Sequence, residues 1–308
     1  MSKQRVAVVF ILIVVAISVA VWLVRNRSIS FNASQINNRV LVVTSFYPLY
    51  FFAEQIGGDK AQVVNITPAG GEPHDYEPTP QDIVQIAGSE LLIMNGGGLE
   101  TWGNKVSSLI NPGHTQVVIA GEDFIGRTRD DAGNIIPGPH VWLSPLLAQK
   151  MAEKIKLGYL QIDPTNADYY IANATALESK LGALDADYQQ GLKSCVNNNI
   201  VTAHDAFGFL AAAYHLSQIP IAGLSPDSEP SPRQLGDIVH KVKTLNIKYI
   251  FFESLASPKL SETIARESGV QTLVLNPLEG LTPSDIAAGS DYFTEMQKNL
   301  TNLQRACQ

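Results

Sequence analysis

Four side chains of metal-ligating type, His74, His140, His204 and Glu279, each come after a stretch that reads as a β-strand, at gaps of 66, 64 and 75 residues. That spacing excludes a zinc finger, whose ligands are close neighbours in sequence, and a helical H-E-x-x-H box. It fits a site assembled from four distant loops, two in each half of the chain. A site shared between two halves closes around an ion and reopens, which suits carrying better than chemistry.

The elements that must position these residues alternate. Arg39–Thr44 is a β-branched run and reads as a buried strand. A helix begins at Phe51–Ile56, Gln62–Ile66 is a second strand, and the Gly/Pro-rich loop Thr67–Pro80 carries His74. Thr79-Pro80 pairs an N-cap with a first-position proline and starts another helix. Leu91–Met94 and Gln116–Ile119 read as strands, and a helix runs from Ser144 to about Tyr159, just after His140. Asp163-Pro164 then opens a long helix with apolar positions at Tyr170, Ala174, Leu177, Leu181, Leu184 and Tyr188, a single buried stripe. From Pro164 to Lys193 it would span about 45 Å.

The second half repeats the alternation, with strands at Ile200–Ala203, Ile219–Ala222, Tyr249–Phe252 and Thr272–Leu275. Its helices fall at Ala206–Leu216, Pro232–Leu245 (capped by Ser231), Pro258–Ser268 and Asp285–Arg305. No sequence repeat is visible, only the same architecture twice. The pattern predicts an α/β fold of two four-stranded parallel-sheet lobes joined by one long rigid backbone helix, with a metal site in the interlobe cleft. The boundaries are 39–162 for the first lobe, 163–193 for the linking helix and 194–308 for the second lobe. In open α/β sheets ligands bind beyond the carboxyl ends of the strands, where all four candidates lie. Glu253 also ends a strand and is the rival carboxylate. His114 belongs to a turn, and His215 and His240 fall in predicted helices away from the cluster.

Bulk properties narrow the classes. Of 308 residues, 45% are hydrophobic and 17% charged, and 22 Lys and Arg against 29 Asp and Glu give a formal charge of −7. An acidic chain without a basic stripe is a poor nucleic-acid binder. Lys3 and Arg5 precede an uncharged run from Val6 to Val24, which Arg25 and Arg27 follow. Nineteen such residues are long enough for a transmembrane helix. The choice is between a cleaved signal peptide and a retained anchor. The length of the run and the lack of an A-x-A site favour residues 1–27 as an anchor, with 28–38 a polar tether and the body outside the cytoplasm. Cys195 and Cys307 are either two unrelated thiols or one disulfide, and the oxidising compartment favours the disulfide.

The segments GEPHDYEPTPQDI, HVWLSP, TAHDAFGFLA, LSPDSEPSPRQL and LNPLEGLT, in that order, resemble the cluster A-I metal-binding proteins of ABC transporters, the zinc/manganese solute-binding family. The resemblance covers about Val40 to Cys307. It implies two lobes on a rigid helix, metal at their interface, and three histidine ligands that fall on His74, His140 and His204. It also implies a last, carboxylate ligand from the second lobe. Many zinc members read L-D-P-L where this chain has Leu275-Asn276-Pro277-Leu278, so Asn276 departs from the pattern. A subgroup places a glutamate further on, which falls on Glu279; failing that, water completes the site. The His-rich loop of many zinc importers is absent: Glu122–Pro139 holds Asp123, Asp130 and Asp131 but no histidine.

Three imidazoles and a carboxylate suit Zn²⁺ in tetrahedral geometry, whereas Mn²⁺ prefers more oxygen. The expected function is therefore the extracytoplasmic component of an ABC importer, a monomer that captures Zn²⁺ between its lobes and delivers it to the membrane permease. Mn²⁺ or Fe²⁺ transport is the alternative within the class. A zinc metallohydrolase, with Glu72, Asp75 or Asp205 as base, is the alternative outside it, but no H-E-x-x-H or G-x-S-x-G element supports an enzyme. Cell adhesion, sometimes ascribed to the family, has no adhesive surface encoded here. Because zinc needs neutral imidazole, affinity is expected to fall below about pH 6.5.

Overall fold

The computed structural model describes residues 39–125, 135 and 138–308. The expected anchor (1–27), the tether (28–38) and Asp130 and Asp131 lie outside the described residues. Among the described residues no helix is long and apolar enough to cross a membrane.

Two four-stranded sheets, each wholly parallel, organise the chain. The first holds β1 (Val40–Thr44), β2 (Ala61–Asn65), β3 (Leu91–Met94) and β4 (Gln116–Ile119) in the order β2-β1-β3-β4. The second holds β5 (Asn199–Thr202), β6 (Ser217–Pro220), β7 (Tyr249–Phe252) and β8 (Gln271–Val274) in the matching order β6-β5-β7-β8. In each sheet the order reverses beside the first strand, and the crevice that opens there is where such folds bind ligands.

Helices α1 (Tyr47–Gly57), α2 (Pro80–Gly88), α3 (Gly103–Ser107) and α4 (Pro145–Ile162) belong to the first half. Helix α5 (Ala167–Leu192) follows, and α6 (Gly208–Ala213), α7 (Pro232–Thr244), α8 (Lys259–Ser268), α9 (Pro283–Ala287) and α10 (Tyr292–Ala306) complete the chain. Of the three expected cap-plus-proline starts, those at Pro80 and Pro232 are present. Thr79 caps α2 in a capping box with Asp82, and Ser231 caps α7 with Gln234.

Helix α5 is the spine. Its 26 residues span about 39 Å, and all six stripe residues from Tyr170 to Tyr188 are buried. It packs on α4 and α1 of the first lobe and on α10 of the second. Hydrogen bonds fasten it at both ends: Asn173 Nδ2 donates to Ile56 O at 3.0 Å, and Tyr188 Oη donates to Met296 O at 2.7 Å. A single apolar cluster runs from Val42 and Phe52 through Leu177 and Leu181 to Phe207 and Leu303. The two lobes therefore share one core through the spine, while separate smaller clusters cover their outer faces.

Several boundaries move for identifiable reasons. The long helix starts at Ala167, because Pro164–Asn166 forms a 3₁₀ turn and the Asp163 carboxylate bonds the Asn166 and Tyr170 side chains instead of capping backbone N–H groups. Helix α1 starts at Tyr47, four residues before the predicted start. The expected helix over 206–216 shrinks to α6, and His215 lies beyond it at φ +57°. The expected final helix over 285–305 is two helices. Gly289 turns the chain at φ +75°, and Asp291 then caps α10 with its own capping box. A short repeat does exist: Asp75-Tyr76-Glu77-Pro78-Thr79-Pro80 and Asp227-Ser228-Glu229-Pro230-Ser231-Pro232 precede equivalent helices, each after an edge strand.

Cys195 and Cys307 form a disulfide across 112 residues of sequence, tying the end of α10 to the turn that leaves the spine. Closing so long a loop restricts the unfolded chain. Serine at both positions is expected to lower the unfolding free energy by about 2–5 kcal/mol in urea titrations. An unchanged midpoint would show that the bridge contributes nothing to stability.

Candidate metal centre

The four expected residues meet. His74 comes from the loop after β2, His140 from the segment between β4 and α4, His204 from just beyond β5, and Glu279 from the loop after β8. Glu279 Oε1 lies 3.1 Å from His74 Nε2, 2.9 Å from His140 Nε2 and 3.3 Å from His204 Nε2. His140 Nε2 is 3.1 Å from that of His74 and 3.2 Å from that of His204. A tetrahedral zinc ion separates its donors by about 3.3 Å, given metal–nitrogen bonds of about 2.0–2.1 Å. Five of the six donor separations thus already sit near the edge length of such a coordination shell, and all four donors lie within 4.8 Å of one another. His140, His204 and Glu279 are buried, and only the His74 side chain is partly open, at 10%.

Each member is held by its surroundings. The His140 loop is fastened by Asn95 Nδ2, which donates to Pro139 O at 2.9 Å. The His204 carbonyl accepts from Thr202 Oγ1 and Gln218 Nε2. Across the cleft, Trp142 Nε1 donates to Pro277 O at 2.8 Å, Tyr292 Oη donates to Trp142 O at 2.6 Å, and Gly70 N donates to Leu281 O at 3.0 Å. These bonds clamp the Glu279 loop to the first lobe. Sequence reasoning did not single out Trp142 or Tyr292. The available signal was that a buried tryptophan needs an acceptor for its N–H.

Glu253, the rival carboxylate, does not join the cluster. Its Oε1 lies 2.7 Å from His204 Nδ1 and also accepts from His204 N at 3.2 Å. This contact keeps a proton on Nδ1 and leaves Nε2 for the site, an arrangement common behind metal-bound imidazoles. Asn276 is buried and bonds away from the cluster, to Leu278 N and Glu295. His114 and His240 are exposed and remote from it. Asp123, in the loop lacking histidines, pairs with Lys154 at 2.8 Å.

Burial and charge set the protonation states. Burial pushes His140 down to about 4, against the pull of Glu279. Burial also opposes charge on His204, but Glu253 and Glu279 outweigh it and raise this imidazole to about 10. Glu279 stays ionised: burial would raise it, but hydrogen bonds from His140, His204 and His74 hold it well below the usual carboxylate range. Burial and then the Glu279 charge lift Glu72 to about 7. Asp75 is raised, first by a hydrogen bond with Asp227, and Asp205 is raised by burial.

Two parallel-sheet lobes on one spine, with a largely buried cluster of three imidazoles and one carboxylate between them, define a class of α/β protein able to hold a metal ion. Comparison with known proteins narrows the class. The family described as zinc-uptake complex component A, periplasmic (ZnuA), matches residues 42–306, and the chain belongs to it. It is 39% identical over 290 residues to the high-affinity zinc uptake system protein ZnuA of Bacillus subtilis, covering 91% of each. It is 37% identical to the zinc-binding lipoprotein AdcA of Streptococcus pneumoniae over 89% of this chain but 57% of that protein. The chain thus spans little more than half the length of AdcA. The Zn(II)-bound ZnuA-like domain of that AdcA superposes with a TM-score of 0.76 at 38% identity, covering 87% of this chain and 99% of the domain.

His204, raised to about 10, carries two protons at neutral pH, so a metal bound at its Nε2 would have to displace one. Because that pKa is raised, the competition strengthens as pH falls, and it begins well above the pH 6.5 expected from sequence. At pH 8, zinc binding is expected to release about one proton from His204, read as the dependence of calorimetric heat on buffer ionisation enthalpy. Affinity should still be rising between pH 7 and 9. Zero proton release with flat affinity there would contradict this reading of His204.

Proposed function

We propose that this chain is the extracytoplasmic capture component of an ABC importer for Zn²⁺, with His74, His140, His204 and Glu279 as the ligands. The observation that carries the reading is the approach of three Nε2 atoms to one carboxylate oxygen at 2.9–3.3 Å. Membership of a periplasmic zinc-uptake family and the zinc-binding names of its relatives support the cargo, the compartment and a membrane permease as partner. The bodies that enclose the ion are residues 39–162 and 194–308 on the linking segment 163–193, acting as a monomer. The N-terminal segment holds this body at the outer face of the membrane or is removed after export.

The chemistry of the donors supports zinc over manganese or iron. A three-imidazole, one-carboxylate set is poor in oxygen for Mn²⁺, and affinity for nitrogen donors rises from Mn²⁺ through Fe²⁺ towards the later metals. Four protein donors around a tetrahedral ion leave no position for an activated water, which a zinc hydrolase requires. Glu72, Asp75 and Asp205 then have no hydrolytic role as bases, and the reading is of a carrier rather than an enzyme.

Competition against a chromophoric chelator tests the assignment on the purified protein. One zinc per chain is expected, with Mn²⁺ displaced by equimolar Zn²⁺. Alanine at His140 or His204 should weaken zinc by more than the roughly 10–100-fold that follows loss of a supporting partner. A His74/His140/His204 triple alanine variant that still takes up one zinc with wild-type affinity would refute the site.

A further inference from the structure

Asn276 lies three residues before Glu279 and is buried, yet every polar group it has is engaged away from the ion cluster. Its Oδ1 accepts from Leu278 N at 2.8 Å, and its Nδ2 donates to Glu295 Oε2 at 3.2 Å. Its backbone N donates to Asn299 Oδ1 at 2.8 Å, and its carbonyl accepts from Asn299 Nδ2 at 2.7 Å. Asn299 and Glu295 are buried on α10, and Lys298 Nζ donates to Glu295 Oε1 at 2.6 Å. Between Asn276 and Glu279 sits Leu278, buried and at φ +55°, a left-handed conformation that leucine rarely adopts without external support. The Asn276 Oδ1 bond to Leu278 N is the contact that spans this turn, and the turn aims Glu279 at the three imidazoles.

We propose that Asn276, gripped by Asn299 and Glu295 of α10, is the positioning residue for the Glu279 carboxylate, so that a glutamate ligand at 279 requires an amide at 276. This inference rests on the reading of Glu279 as a ligand. The requirement is chemical. The side chain must accept from Leu278 and donate to Glu295 at once, and an amide does both while a carboxylate only accepts. Aspartate at 276 would set two buried carboxylates against each other, a pair that holds its place only where one member takes up a proton, so at the neutral to alkaline pH of the assay repulsion would separate them. The side chain would leave Glu295, the bond to Leu278 would break, and Glu279 would withdraw from the ion.

The test compares zinc affinity, by chelator competition, and the visible absorption of Co²⁺-loaded protein in N276D, E279Q and the double variant N276D/E295Q. N276D is expected to weaken zinc about 10–100-fold, as loss of a supporting partner does. Its Co²⁺ bands should lose intensity as water replaces the carboxylate and coordination expands. N276D/E295Q reverses donor and acceptor, since the glutamine amide introduced on α10 can donate to the aspartate introduced after β8. It should recover to within about threefold of the parent with its tetrahedral Co²⁺ spectrum, the signature of a coupled pair. A general loss of packing would produce neither the spectral change nor the rescue. If E279Q weakens zinc but N276D binds as the parent does, the positioning role is overturned and the ligand reading stands. Tighter binding by N276D would make the introduced carboxylate a ligand itself and overturn the proposal, as would a double variant no better than N276D. If E279Q binds zinc as the parent does, the ligand reading fails and takes the proposal with it. If N276D alone does not fold, the double variant decides: recovery supports the pairing, and failure of both overturns it.

Discussion

A single carboxylate oxygen, Glu279 Oε1, buried within 3.3 Å of three imidazole nitrogens is the contact to which the rest of the structure answers. Taking an ionised carboxylate out of water costs several kcal/mol unless partners replace the lost hydration. Here the replacement comes from side chains that are remote in sequence and belong to different loops. The fold must therefore bring four strand ends together to within a fraction of an ångström. Without an ion the cluster holds its charge by sharing protons, most of all on His204. On the proposed assignment, the same donors would become a coordination shell without large displacement.

That demand explains the construction around it. A spine buried along one face and bonded to both halves makes the two sheets parts of one packed body. Trp142 and Gly70 then join the loops of one half to the Glu279 loop of the other. Interiors packed at this density resist small deformations. An arrangement of this kind favours local movement of loops over wide closure of lobes.

Much of this was legible in the chain. The strands at 91–94, 116–119 and 249–252 agree with the sequence reading residue for residue, because short apolar runs there end at turn-forming residues. The six stripe positions of the spine are legible from helical spacing alone, and the capped prolines at 80 and 232 from cap chemistry. The break at Gly289 was missed although Gly289-Ser290-Asp291 carries a signal for it, a glycine stop followed by an N-cap, which the apolar spacing on either side masked. The choice of Glu279 over Glu253 came from the family resemblance and not from the spacing. Both follow strands, and which one reaches the cluster depends on the turn at Leu278 and on the neighbour of His204 Nδ1, both products of tertiary packing. The paired D-x-E-P-[S/T]-P segments were visible but too short to register as a repeat until the matching strand orders placed them in equivalent positions.

The uneven exposure of the cluster has a kinetic meaning. Three of its four members are sealed, and solvent touches only the imidazole of His74, on the long loop after β2. On the proposed assignment, an ion entering from outside would shed its hydration water stepwise, meeting this imidazole first and the three sealed donors afterwards. Departure by the same route would reverse this order, with His74 the last bond to part. On that route the sealed donors must part before the exposed one, so release from His140, His204 and Glu279 would set the dwell time of the cargo, and His74 would be its landing on entry and its last hold on exit.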